Sequence, residues 1–187
     1  MTPEEVQRYA RQIALPEVGP QGQARICAAR VLIVGGGLAA ETAASYLKAA
    51  GLGEVIAREL PPGDGEAWMT ALAGIDLVVR AGFDDDAMLG AAKRLGLPVI
   101  VVRAAAAQID LLSFPRRAPA PEASLEVPLQ AAATSTPGAA DVLGGALAAA
   151  EALVRLARID GEIGRIRHLR LPLDGGLPLA QEIGGRA

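Results

Sequence analysis

Apolar positions come in short runs that change period along the chain. Val31-Leu32-Ile33-Val34 is an unbroken, largely β-branched run, which predicts a strand covered on both faces over residues 30–34. The same reasoning predicts strands over 54–58, 76–80 and 98–103. Between them, helical spacing predicts helices over 38–50, 66–73 and 84–95. Two helices precede the first strand. Thr2 as N-cap, Pro3 at N1 and Glu5 completing a capping box start one that runs to about residue 13, and a second covers 21–29. Gly51 closes the helix over 38–50 as a C′ glycine. Residues 114–123 read FPRRAPAPEA, a Pro/Ala-rich loop, and an Ala-rich helix follows over 138–157. The segments 165–173 and 177–183 flank Asp174-Gly175-Gly176, a hairpin signal.

Strands alternating with helices through short loops predict an α/β fold, doubly wound around a mainly parallel sheet. The glycine turn sharpens this. Gly35-x-Gly37-x-x-Ala40 sits between a predicted strand and a predicted helix, where a tight turn, a close backbone approach to phosphate and a close helix–strand contact are needed. The helix N-terminus supplies amides for an anion, and Glu59, after the second strand, can bond ribose hydroxyls. A Gly-rich turn kept only for helix–strand contact in a nucleotide-free domain fits these residues as well. The expected organisation is a single domain over 1–187. N-terminal helices span 1–29, a Rossmann-like core 30–160 and a C-terminal β-hairpin 161–187.

Composition narrows the chemistry. The chain has 187 residues, 51% of them hydrophobic and 21% charged, enough to bury a sizeable core and too apolar for a disordered chain. Aromatics make up only 3%, so Leu, Val, Ile and Ala must build the core. The net charge of −3 does not suggest a nucleic-acid partner. No apolar run is long enough for a membrane span, and the acidic start MTPEEV does not read as a secretory signal, so a cytoplasmic location is expected. One cysteine, Cys27, and one histidine, His168, exclude an internal disulfide, a Cys-based zinc site and a His cluster. Cys27 reads as an inert buried thiol, and His168, between Arg167 and Leu169, as a surface strand residue. Asp84-Asp85-Asp86 reads as a helix cap and acidic first turn rather than a Mg²⁺ site. Arg116 and Arg117 read as solvated. Gly144 and Gly145 suit either close helix–sheet contact or a helix–helix dimer seam.

Arg8-Tyr9-Ala10-Arg11-Gln12-Ile13-Ala14-Leu15-Pro16-Glu17, Gly19, Gly22-Gln23, the strand VLIVGGG and residues 44–53, ASYLKAAGLG, keep order and spacing. Over these the chain resembles the ThiF/MoeB/HesA family of ubiquitin-activating-enzyme-like adenylyltransferases. Weaker matches follow at 76–79, 97–99 and 144–156. The resemblance implies activation of the C-terminal carboxylate of a ubiquitin-like or sulfur-carrier protein, with ATP and Mg²⁺ giving an acyl-adenylate. It also implies a dimer in which Arg11 reaches across to the partner's nucleotide as a donated charge. Departures from the family pattern are concentrated where the chemistry lies. Leu38-Ala39-Ala40 replaces the last three places of the family's Gly-Gly-Leu-Gly turn. Glu59-Leu60-Pro61 keeps one of two carboxylates after the second strand. The Arg- and Lys-bearing phosphate segment beyond it is missing. Phe83 stands at the metal-binding Asp, with Asp84 one residue on, and the zinc cysteines have no counterpart. Ala131-Ala132-Ala133-Thr134-Ser135 stands near the expected catalytic Cys. The expectation is a degenerate member, without zinc, that pairs with itself or with a catalytic homologue. ATP with Mg²⁺ would bind only where a nucleotide site survives. An active adenylyltransferase and an NAD(P)-binding protein are the alternatives.

Overall fold

Seven strands form one sheet in the order β2-β1-β3-β4-β5-β6-β7. The computed structural model describes residues 1–58, 65–82, 86–105, 108–116, 138–157 and 165–184. Strands β1 (Arg30–Val34), β2 (Glu54–Arg58), β3 (Leu77–Ala81) and β4 (Val99–Ala105) are parallel. β5 (Gln108–Phe114), β6 (Arg165–Pro172) and β7 (Leu179–Gly184) continue the sheet antiparallel. The doubly wound expectation is met in the parallel part, where both faces are covered. Val31, Ile33, Leu77, Val79, Ile100 and Val102 face α4 (Gly37–Ala49) and α7 (Ala139–Ala157). Leu32, Val34, Val78, Val99 and Val101 face α5 (Gly65–Ala71) and α6 (Asp86–Arg94), around Trp68 and Met88. Two-sided burial is why these strands show no polar alternation.

The remaining helices are α1 (Pro3–Arg8), α2 (Ala10–Ile13) and α3 (Gly19–Ala28). The capping box at Thr2 and Glu5 is present in full. The single helix expected to residue 13 breaks at Tyr9, which leaves helical angles at φ −101° and ψ 14°. Tyr9 is buried, and its ring lies where a side chain on Gly51 would stand. Gly51, at φ +87°, ends α4 in a Schellman turn, with Leu52 N–H donating to Leu47 O (3.1 Å) and Gly51 N–H to Lys48 O (3.0 Å). Arg25 donates from Nε to the carbonyl of Ala157 (3.1 Å), tying α3 to the end of α7.

Gly144 and Gly145 settle their two readings in favour of close contact within the chain. A Cβ on Gly145 would lie 2.3 Å from Ala39 O and 2.9 Å from Thr42 Cβ, both on α4. On Gly144 it would approach Val102 and Ile109 of the sheet. Gly145→Ala should therefore lower stability by about 2 kcal/mol as overpacking, although Gly→Ala in a helix interior otherwise gains about 1 kcal/mol. The sign of the shift in a urea midpoint checks this.

Candidate functional site

Strands β2 and β3 flank β1 on opposite sides, so the chain reverses direction across the sheet at the carboxyl ends of β1 and β3. That crevice is where open α/β sheets bind ligands, and the glycine turn occupies it. Gly35 N–H donates to Arg58 O at the end of β2 (3.2 Å). On its other side, a Cβ on Gly35 would fall 1.9 Å from Ala81 O at the end of β3. With φ at +117° as well, only glycine fits there. Gly36 is the N-cap of α4 in extended backbone, with no side chain capping the first turn. Gly37 also has positive φ (+77°), but nothing lies within 4 Å of where a Cβ would stand. Ala40 is buried against the sheet, as the third small position requires. Leu38 is half-buried in the first turn of α4.

Gly35, Gly37 and Ala40 thus come together as expected. Glu59 and Asp84 lie outside the described residues, as do Phe83, Pro61 and residues 131–135. The end of β2 at Arg58 nevertheless brings the chain to the turn just before Glu59. Arg11 is exposed on α2. Tyr9 anchors that region at Gly51, one helix length from the turn, which is roughly 20 Å at the rise of α4. Arg8 stacks on Tyr9, 5.6 Å from the ring centroid. Cys27 is half-buried with Gln23 Nε2 at 3.6 Å from Sγ, rather than fully buried. Arg116 is exposed. No group of three or more His, Cys, Asp or Glu suited to a metal occurs among the described residues.

The sequence did not point to a polar row on the α5/α6 face of the sheet. Arg103 on β4, Asp110 on β5 and Arg170 on β6 are successive register partners, and Arg80 on β3 is buried nearby. Asp110 Oδ1 accepts from Arg170 Nε (2.8 Å) and lies 3.1 Å from His168 Nε2, and its Oδ2 accepts from Gln108. Burial alone would raise the Asp110 carboxyl. Hydrogen bonds from Arg170, His168 and Gln108, with the charge of Arg170, outweigh it and hold the group below its ordinary value. Arg103 is lowered by burial and by the charge of Arg80, against a smaller opposite pull from Asp110. His168 is buried, which corrects its reading as a surface residue. β6 is an interior strand, pairing Leu112 and Gln181 on either side of His168. The only available signals were arginines inside apolar runs, in VVRA at 78–81 and again at 101–104.

No protein-family model matches the chain. A sulfur carrier protein adenylyltransferase of Thermus thermophilus is 50% identical over 54 residues, 29% of this chain and 20% of that protein. The adenylyltransferase and sulfurtransferase MOCS3 of Bos taurus is 54% identical over 52 residues, 28% of this chain and 11% of that protein. Among solved structures, PaaA matches with a TM-score of 0.72 at 15% identity, over 98% of this chain and 75% of that one. Escherichia coli MccB, solved with AMPCPP and MccA, matches with a TM-score of 0.72 at 13% identity, over 95% and 71%. The chain has a ThiF/MoeB-like fold. The local matches are to adenylyltransferases that act in sulfur-carrier or ubiquitin-like activation. The ThiF/MoeB-like chain spans a fifth or less of these two curated relatives. Within this fold the polar row fastens the antiparallel strands to one another. No described helix is long and apolar enough to cross a membrane.

Proposed function

We propose that this chain is a ThiF/MoeB-like subunit of ubiquitin-like or sulfur-carrier protein activation that has lost adenylation chemistry and acts in a dimer, in the cytoplasm, with itself or with a catalytic homologue. The observation that carries this reading is the connection from β2 to α5. β2 ends at Arg58 and α5 begins at Gly65, and residues 59–64, ELPPGD, contain no Arg or Lys. Phosphoryl and adenylyl chemistry depends on cations placed against developing negative charge, and a missing guanidinium has no substitute in Leu or Pro. The glycine turn survives on other grounds, because Gly35 is wedged between the ends of β2 and β3. ATP–pyrophosphate exchange with sulfur-carrier proteins and Mg²⁺ should show no activity for the purified chain alone. Robust exchange would favour the alternative, an active adenylyltransferase. An NAD(P)-binding protein is less supported, because β3 lies beside β1 rather than beyond β2, unlike the dinucleotide order.

Arg11 supplies the test of partnership. Its exposure on α2, next to the Tyr9 anchor at Gly51, supports a role in trans. In a reconstituted complex with a catalytic homologue, Arg11→Ala should slow the partner's adenylation at least about tenfold, with ~10³ as the upper guide from arginine fingers. It should leave the melting temperature unchanged, because a helix-surface arginine contributes little to stability. Arg8→Ala, whose guanidinium stacks on Tyr9, is the control. Equal rates for both variants and wild type would leave the chain a scaffold.

A further inference from the structure

Residues 1–16 lie on the body of the molecule rather than in it. Tyr9 is the one buried residue among them, and Glu5, Gln12 and Ile13 are half-buried. α1 and α2 contribute no buried residue at all. Met1, Val6 and Leu15 are 48%, 44% and 51% exposed, so they add little hold. Among the described residues, the hydrogen bonds of residues 1–16 reach no farther than Gly19, whose N–H donates to Leu15 O (2.9 Å).

One side chain therefore carries most of the attachment. The Tyr9 ring fills a notch at Gly51, where a Cβ would fall 2.3 Å from Tyr9 Cζ and 2.5 Å from its hydroxyl oxygen. The exposed Arg8 lies over the ring. The segment joins the body at Gly19, where φ is +59° and nothing lies within 4 Å of where a Cβ would stand. A hinge is a position of this kind, at the end of an element, that can absorb a change of backbone angles.

We propose that residues 1–16 form a detachable strap, latched by Tyr9 in the Gly51 notch, which lifts from the folded body with Arg8 and Arg11 while the sheet stays intact. Helices of six and four residues do not persist alone in water. The strap is therefore ordered only while it is latched. Local opening concentrates where few apolar contacts are buried. Burial of a single ring limits the ratio of latched to free strap to about 10²–10³. Opening of the sheet is far rarer, because β1 and β3 are covered on both faces. Arg11, two positions beyond Tyr9, is held against the body only while the ring is seated. The latch does not depend on the adenylation reading.

The test is hydrogen exchange of the full chain, read amide by amide. In wild type the helical amides of Val6, Tyr9, Ile13 and Ala14 should exchange at least about tenfold faster than those of Leu32, Ile33 and Val34 in β1. Tyr9→Ala should speed the strap amides at least about tenfold further and leave the β1 amides unchanged. Tyr9→Phe, which keeps the ring, should exchange like wild type. Gly51→Ala drives its methyl into the ring and should free the strap as Tyr9→Ala does. In the Tyr9→Ala background it should add nothing to strap exchange, because no ring remains to be expelled. The β1 amides of the same sample report any general loss of stability in each variant. Strap amides protected as strongly as β1 in wild type would overturn the proposal, as would strap exchange indifferent to Tyr9→Ala. Strap protection that rises with protein concentration would place the hold in a second copy, and would also overturn it.

Discussion

Gly35→Ala is expected to cost about 4 kcal/mol, the sum of overpacking against a fixed backbone atom and a positive φ that L residues rarely adopt. The added methyl would sit 1.9 Å from Ala81 O, and that carbonyl belongs to a central strand that cannot yield without dislodging β3 from β1. Against a typical stability of roughly 5–15 kcal/mol, such a loss leaves little folded protein at 37 °C. Gly37→Ala is the matched comparison. Its φ is also positive, but nothing lies within 4 Å of the new methyl, so about 1 kcal/mol is expected. Denaturant titration of the two variants separates them. Equal losses would show that the close approach to Ala81 is not what keeps glycine at position 35.

Asp110→Ala should cost about 3 kcal/mol, because it strips a buried carboxylate from His168, Arg170 and Gln108 at once. The figure is set at the lower end for a buried ion pair, since Arg170 remains partly exposed. The pH dependence has a definite sign. The folded state holds Asp110 below its ordinary value, so the carboxylate's contribution is fully present above the unfolded pKa of about 3.9. It is lost as pH falls through the lower, folded value. The stability gap between wild type and Asp110→Asn should therefore be constant near neutrality and close in acid. A gap that persisted undiminished at pH 2 would mean that shape, not charge, makes the difference.

The four parallel strands were legible because each is an apolar run bounded by turn residues, and the glycine turn because its residues carry backbone requirements that show in sequence. β5 was not foreseen. Gln108-Ile109-Asp110-Leu111-Leu112-Ser113-Phe114 mixes polar and apolar residues without a clean period, since Asp110 and Ser113 are buried and satisfied by Arg170 and Arg155 from other elements. His168 was misread for the same reason, as long-range partners rather than local pattern decide where a polar strand residue goes. Tyr9 broke a helix whose capping signals were correct, because its ring finds its place against a turn distant in sequence. Most of the chemistry-bearing positions expected from the family resemblance, Glu59, Asp84 and residues 131–135, lie outside the described residues. The site was therefore legible as backbone rather than as side chains.

The adjacency of β1 and β3 also has a kinetic meaning. The Gly35 turn acquires its shape from Ala81, on a strand reached only after α4, β2 and α5 have been traversed. The pairing of β4 with β5, by contrast, joins neighbours in the chain and needs little loop closure. Contacts that close long loops form late, so the crevice should mature only after β4 and β5 have paired. A refolding chain quenched early would then show protected amides in β4 and β5 while those of Gly35 and Gly82 still exchange freely.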